Sequence, residues 1–230
     1  MNMLKYDFVY ILKDSEKNEE LLYSLRSISQ NAPNLINRVV FVGGKPKGFK
    51  GYYHIPNNQI FSTKGKNAIM GIYAATKTQS ITANFVLMND DFYIMKPIDR
   101  ITKYYDGSIE GRINELPDSR YKKQMKEYFE VLRKYYNLPL NYATHTPMLI
   151  NKKEAEFILQ QLEPEHNFRN LYGNLTQDRD KGQSFRDNKF RKQDKTWNKD
   201  AIFASSDDDT FPKMRTYLRN KFKQKSEWEE

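Results

Sequence analysis

The sequence predicts an α/β fold: a single domain built on a mainly parallel central sheet with flanking helices. Short apolar runs rich in β-branched and aromatic residues alternate with segments of helical periodicity. The first two such runs, 6–12 and 38–42, enclose one helical segment, a βαβ unit whose strands lie parallel with a right-handed crossover. A chain of 230 residues, 38% hydrophobic and carrying 16 Tyr and 14 Phe, suits one substantial core.

Residues 6–12 (YDFVYIL) read as a buried strand. Asp14 and Ser15 follow, then a helix over 19–30 with Leu21, Leu22, Leu25 and Ile28 at helical spacing, broken at Asn31-Ala32-Pro33. RVVFV (38–42) forms a second strand ended by Gly43-Gly44, and 52–55 a short third. A helix over 67–78 leads to a strand over 85–88. An amphipathic helix over 121–136, a strand over 142–150 and a helix over 152–162 come next. The tract 173–199 is polar, basic and poor in aliphatics, which predicts a mobile loop or flap. A last strand over 202–204 and a C-terminal helix over about 209–223 complete the chain.

The most informative stretch is 85–98, FVLMNDDFYIMKPI. An apolar strand stops at Asn89, Asp90 and Asp91, and adjacent carboxylates there repel and resist burial as bare anions. A hard divalent cation, Mn²⁺ or Mg²⁺, resolves that conflict with oxygen ligands and can carry a substrate phosphate. The plainer reading is a strand-end turn with solvated acids. In a parallel sheet, ligands gather at the carboxyl ends of strands. Three acidic features fall there: Asp14, Asp90/Asp91 and Asp207-Asp208-Asp209, with His145 and Thr146 in the 142–150 segment.

Composition narrows the classes. No Cys means no disulfide framework, thiolate nucleophile or thiolate metal site. No apolar run approaches the roughly 20 residues of a membrane span, and the N-terminus lacks a signal-peptide core, so a cytoplasmic location in a bacterium or virus-infected host cell is expected. The net charge of +9 is concentrated in 179–225, where 14 Lys or Arg face 7 Asp and are interleaved with aromatic residues. Such a surface attracts phosphates on a nucleotide, a nucleic acid or an anionic glycan, or is a solvated helix face.

The order of these blocks resembles the Stealth family of sugar-phosphate transferases, a branch related to GT-A glycosyltransferases. YDFVYILKD is similar to the family's opening "D-x-V-Y-x-W-x-D" strand, and LLYSLRSISQNAPNLINRVVFV to the helix and strand that follow it. FVLMNDDFYIMKPI resembles the "F-I-Y-L-N-D-D-x-F…P" block, ATHTPMLINKKE the next block, and IFASSDDDTFPKMRTYLRNKF with SEWEE the closing one. The likeness spans residues 6–229, with Leu12-Lys13 and Ser15 replacing the Trp and Gly around the first Asp, and Ser206 replacing an Asn.

The resemblance implies a GT-A-like fold. It implies that Asp90 and Asp91 sit at the metal and the donor diphosphate, and that Asp14 lies near the nucleotide or acceptor. It makes Arg26 a phosphate-neutralising or bracing residue, His145 an acid/base or phosphate contact, and Asp207 and Asp208, with Asn89, supports behind them. Arg169, Lys189 and Arg191 are assigned to donor phosphate, the last two from a basic segment that closes over it. The acceptor's base is Asp14 or His145. Alternative roles are a helix cap for Asp14, a surface pair with Glu19 or Glu20 for Arg26, a core histidine for His145, and a cap on the last helix for Asp207–Asp209.

The expected function is metal-dependent transfer of a sugar from a nucleotide-sugar to a hydroxyl acceptor, either a modified base in viral DNA or a glycan. Transfer of a sugar-1-phosphate to a capsule or wall polysaccharide is the first alternative. A non-catalytic nucleic-acid-binding protein is the second; it explains the charge but not the acidic strand end. A metal-dependent nuclease or phosphotransferase calls for a further acid or His at tight spacing, which is absent.

Overall fold

The computed structural model describes residues 4–162 and 167–230. In chain order, the first half comprises β1 (Tyr6–Leu12), α1 (Glu19–Asn31), β2 (Ile36–Gly43), β3 (Tyr53–Ile55), α2 (Lys64–Lys77), β4 (Asn84–Met88), β5 (Phe92–Ile94) and β6 (Tyr104–Tyr105). There follow α3 (Ile109–Glu115), α4 (Arg120–Leu132), β7 (Met148–Asn151), α5 (Lys152–Leu162), α6 (Phe168–Leu175), β8 (Gln183–Ser184), β9 (Lys189–Phe190), β10 (Phe203–Ser206) and α7 (Phe211–Lys221).

β1 lies at the centre because both its faces are apolar: Phe8, Val9 and Tyr10 are fully buried. It pairs in parallel with β2 on one side and β4 on the other, giving the order β3-β2-β1-β4-β7. Only β7 runs antiparallel, against β4, so the sheet is mixed and mostly parallel. Alternation sends Val9, Val40, Val42, Phe85 and Leu87 to one face, where they pack with side chains of α2 to α6. Phe8, Tyr10, Leu12, Val39, Phe41, Val86 and Met88 go to the other, against Leu21, Leu25 and Ile28 of α1. Gly71 lets α2 approach β1 closely; a Cβ there would lie 2.7 Å from Ile11 Cγ2.

A second sheet, β5-β10-β9, pairs β10 antiparallel to β5 and parallel to β9. Tyr93, Phe190 and Ala204 from it pack with Phe211, Met214 and Leu218 of α7. Among the described residues no helix is long and apolar enough to cross a membrane.

The expected strands and most helices form near their expected bounds, with some differences. Residues 142–147 are not strand. Their neighbourhood is satisfied by side chains of α6, which was not expected: Asn170 Oδ1 accepts from Ala143 N (2.9 Å), and Asn174 bonds both Leu140 N and Leu140 O. In the expected flap, 173–175 complete α6, β8 pairs β6 and β9 pairs β10, while 191–202 carry no regular element. Helix α3 was also unforeseen; Ser108 caps it by accepting from Gly111 N (3.0 Å).

Candidate active site

The sheet order reverses between β1 and β4: the chain leaves β1 for β2 on one side, and β4 lies on the other. At such a switch point the carboxyl ends of neighbouring strands open a crevice. Gly43 (φ +93°) and Gly44 bring the end of β2 against β1; a Cβ on Gly44 would lie 2.2 Å from Lys13 O. The crevice holds about 950 Å³ and is lined by Leu12 at the end of β1 and Lys13 after it, Asn89, Asp90 and Asp91 after β4, Glu20 of α1, Gln59, Lys64 and Asn67, and Asp207–Asp209 after β10.

Each acid has a distinct setting. Asn18 caps α1 by accepting from Leu21 N (2.9 Å), and its Nδ2 donates to Asp90 Oδ2 (2.6 Å). Burial and then the neighbouring Asp91 charge raise the Asp90 carboxyl above its ordinary range, while the Asn18 bond opposes them. Asp91 Oδ2 accepts from Ser205 Oγ (3.2 Å) and Lys189 Nζ (3.2 Å). The same ammonium lies 3.0 Å from Asp207 Oδ1. Burial lowers the Lys189 pKa, but Asp91 and Asp207 outweigh it and hold the ammonium charged. Glu20 Oε1 accepts from Ser206 Oγ (2.9 Å); burial first, then Asp91, Asp90 and Asp208, push Glu20 up to about 7.

A surplus of buried negative charge is what a divalent cation relieves. Among the described residues no group of three or more His, Asp or Glu is gathered as a metal cage. A Mg²⁺-type ion that also binds substrate phosphates needs only one or two protein carboxylates, and Asp90 and Asp91 fit that requirement.

A larger cleft of about 1580 Å³ adjoins this crevice and shares Lys189 and Asp207 with it. His145 lines it, held by Asp187: Nδ1 lies 2.7 Å from Asp187 Oδ2, and the His145 backbone N–H donates to Asp187 Oδ1 (3.0 Å). Arg191 Nη2 donates to the same Oδ2 (3.0 Å). Burial works to raise the Asp187 carboxyl, but the His145 bonds and the Arg191 charge outweigh it and hold Asp187 well below the usual carboxylate range. A carboxylate that stays ionised accepts only, so the proton between them sits on His145 Nδ1, and in the neutral imidazole Nε2 is the acceptor. In that tautomer the pair can act chemically as an oriented general base. Tyr121, Phe185 and Trp197 also line the cleft.

Several expected site residues lie elsewhere. Asp14 is exposed and outside the crevice lining; Lys13 and Glu20 stand there instead, and Asn18 rather than Asp14 caps α1. Arg26 makes a bidentate pair with Glu229 (2.9 and 2.7 Å) and donates to Phe222 O, so it pins the C-terminal segment and lines neither cleft. Arg169 lines neither cleft. Its guanidinium donates to Thr146 O (2.7 Å), lies over the Phe92 ring and is lowered by burial to about 10, with Asp91 and Asp187 opposing, so it braces the site from behind. Arg191 does line the larger cleft, where it donates to Asp187. Asp207 pairs with Lys189 and does not cap α7 through its side chain. Asn89, Asp90, Asp91, Lys189, Asp207 and Asp208 do converge.

Sequence reasoning missed Asn18, Glu20, Asp187, Ser205 and Ser206. Asn18 and Glu20 carried a signal, an N-cap residue followed by first-turn acids. Asp187 had none, being one Asp in a polar tract. No protein-family model matches the chain, and no curated protein does.

Proposed function

We propose that this chain is a metal-dependent transferase that moves a sugar from a nucleotide-sugar to an uncharged hydroxyl acceptor. The observation that carries this reading is the junction at Lys189 and Asp207, which joins an acidic crevice to a cleft holding an oriented histidine. The mixed sheet with its acidic strand end accords with the GT-A-like fold implied by the Stealth resemblance.

In this reading Asp90 and Asp91 hold Mn²⁺ or Mg²⁺, with Glu20 and Asp208 adding negative charge around them. An ion held by Asp90 and Asp91 would supply charge compensation for the leaving diphosphate. His145 Nε2 takes the proton of the acceptor hydroxyl while Asp187 stabilises the imidazolium. The bond from sugar C1 to the phosphate oxygen breaks, and a bond from C1 to the acceptor oxygen forms. Carboxylates of Asp106, Glu115, Asp194 and Asp200 stand beside Arg112, Arg186 and Arg191 in the larger cleft. That mixture suits a hydroxyl-rich glycan better than a DNA strand, whose phosphates seek a consistently positive groove. Bases outside the cleft stack on rings, with Lys213 over Phe190 and Lys199 over Tyr217.

The Stealth resemblance favours a second reading, transfer of the sugar-1-phosphate, with the bond broken inside the diphosphate. Incubation with labelled nucleotide-sugars and a panel of glycan and DNA acceptors, read by mass spectrometry, separates the two. Sugar transfer releases a nucleoside diphosphate and sugar-phosphate transfer a nucleoside monophosphate. A DNA product would overturn the acceptor assignment, and no product with any acceptor would overturn the transferase assignment.

A further inference from the structure

Lys189 stands where the two clefts meet, and its ammonium occupies the carboxylates that the proposed reading gives to a metal ion and its surroundings. Strand β9 fixes its place: Lys189 pairs with Ser205 in the parallel β9–β10 ladder, and Phe190 beside it is buried in the α7 core. Ser205 and Lys189 therefore reach the same oxygen, Asp91 Oδ2, each at 3.2 Å. The Nζ also lies 3.0 Å from Asp207 Oδ1. These carboxylates come from separate segments, after β4 and after β10, and one monovalent cation draws them together. The lysine side chain is 15% exposed.

We propose that Lys189 is an exchangeable internal counter-ion: its ammonium and a divalent cation compete for Asp91, and the displaced ammonium turns to the donor diphosphate. Two features support exchange over a fixed structural pair. First, the ammonium bridges Asp91 and Asp207 alone, while Glu20, Asp90 and Asp208 line the same crevice without a contact to it. A divalent ion supplies the missing charge, and like charges a few ångströms apart cannot share Asp91 in a partly buried site. Second, Lys189 has somewhere to go. It lines both clefts, and its four-carbon stem swings a compact charge through several ångströms without moving β9. At the junction it meets the phosphate that departs with the nucleotide. Lys189 is thus a positioning residue that holds the acids before the donor arrives and clamps the diphosphate afterwards.

This inference rests on the transferase reading and is tested separately from it by Mn²⁺ binding without substrate. Free Mn²⁺ is titrated by electron paramagnetic resonance against the wild-type chain, K189M and D91N, with circular dichroism confirming the fold of each. K189M is expected to bind Mn²⁺ at least tenfold more tightly than wild type and to bind nucleotide-sugar more weakly, while D91N loses Mn²⁺ binding. Equal Mn²⁺ affinity in wild type and K189M, with D91N inert, overturns the exchange and leaves the metal site standing. Absence of Mn²⁺ binding in all three overturns both. Should K189M not fold, amine-reactive labelling of wild-type Lys189, read by peptide mass spectrometry, decides the matter. Reactivity that rises with Mn²⁺ supports exchange, and reactivity that stays constant refutes it.

Discussion

Replacing Asp187 by Asn separates the oriented base from a merely packed histidine. Asp187 Oδ2 takes the His145 Nδ1 bond (2.7 Å) and an Arg191 bond (3.0 Å), and Oδ1 takes the His145 backbone N–H (3.0 Å). Asparagine keeps the shape and one acceptor oxygen. With that oxygen on the backbone N–H, its amide group faces two donors, Nδ1–H and the Arg191 guanidinium. The imidazole then shifts its proton to Nε2, the atom that must accept from the substrate. Positioned general-base catalysis is worth about 10²–10⁴-fold, which corresponds to about 3–5.5 kcal/mol of barrier. Loss of the charge-assisted bond to Arg191 costs about 1.5–3 kcal/mol of stability, lowering Tm by roughly 3–12 °C for a chain of this size. Initial rates at saturating donor and acceptor are therefore expected to fall by two to four decades, with donor affinity within about threefold of wild type. Histidine ¹⁵N chemical shifts report the tautomer in the same samples. A folded D187N with wild-type kcat, or with its whole loss in donor affinity, refutes the argument.

Other expected outcomes follow from the same geometry. The Glu20 carboxyl stands near 7 in the fold against an ordinary 4.5, so the folded chain holds a proton that the unfolded chain releases between those values. Without divalent ions, stability therefore falls as pH rises from about 4.5 through 7; E20Q should flatten that decline and raise Tm at pH 8, and parallel Tm profiles would refute it. D91N relieves the repulsion with Asp90 and leaves Lys189 paired with Asp207, so its Tm should stay within a few degrees of wild type while metal-dependent nucleotide binding is abolished; retained binding in a calorimeter excludes Asp91 from the site. R26A leaves Glu229, whose side chain is 4% exposed, without its bidentate partner. We expect about 3 kcal/mol of lost stability by urea unfolding, with unchanged donor affinity in the folded fraction; lost donor binding would return Arg26 to the site. G173A drives a Cβ to 2.2 Å from Tyr142 Cγ, and should cost at least about 1–3 kcal/mol; thermal unfolding equal to wild type would show that α6 can shift.

The parallel sheet was legible because its strands are short apolar runs closed by Gly, Pro or acids, and burial on both faces leaves little alternative for YDFVYIL and RVVFV. Helix α6 was not, because FRNLYGNL carries two Asn and a Gly that disfavour an isolated helix. Those Asn side chains are buried to satisfy the backbone of 140–143, a tertiary requirement without a local signature. In the candidate site, Asn89-Asp90-Asp91 announced itself as an acidic strand end, and Asp207 and Asp208 did so by position. Asp14 misled because the loop after β1 turns it outward, and the first turn of α1 sends Glu20 inward instead. Arg26 misled because its partner, Glu229, lies 203 residues away. Asp187 is meaningful only beside His145, 42 residues distant, a pairing that the chain's three-dimensional course creates.

Isothermal titration calorimetry of the wild-type chain with a nucleotide-sugar, in the presence of Mn²⁺ and then of chelator, tests the central claim most directly. The account predicts that Mn²⁺ and nucleotide strengthen one another's binding by at least about tenfold, a coupling of about 1.4 kcal/mol. Nucleotide affinity identical with metal and with chelator, or no heat with UDP- or GDP-sugars in either buffer, would contradict it.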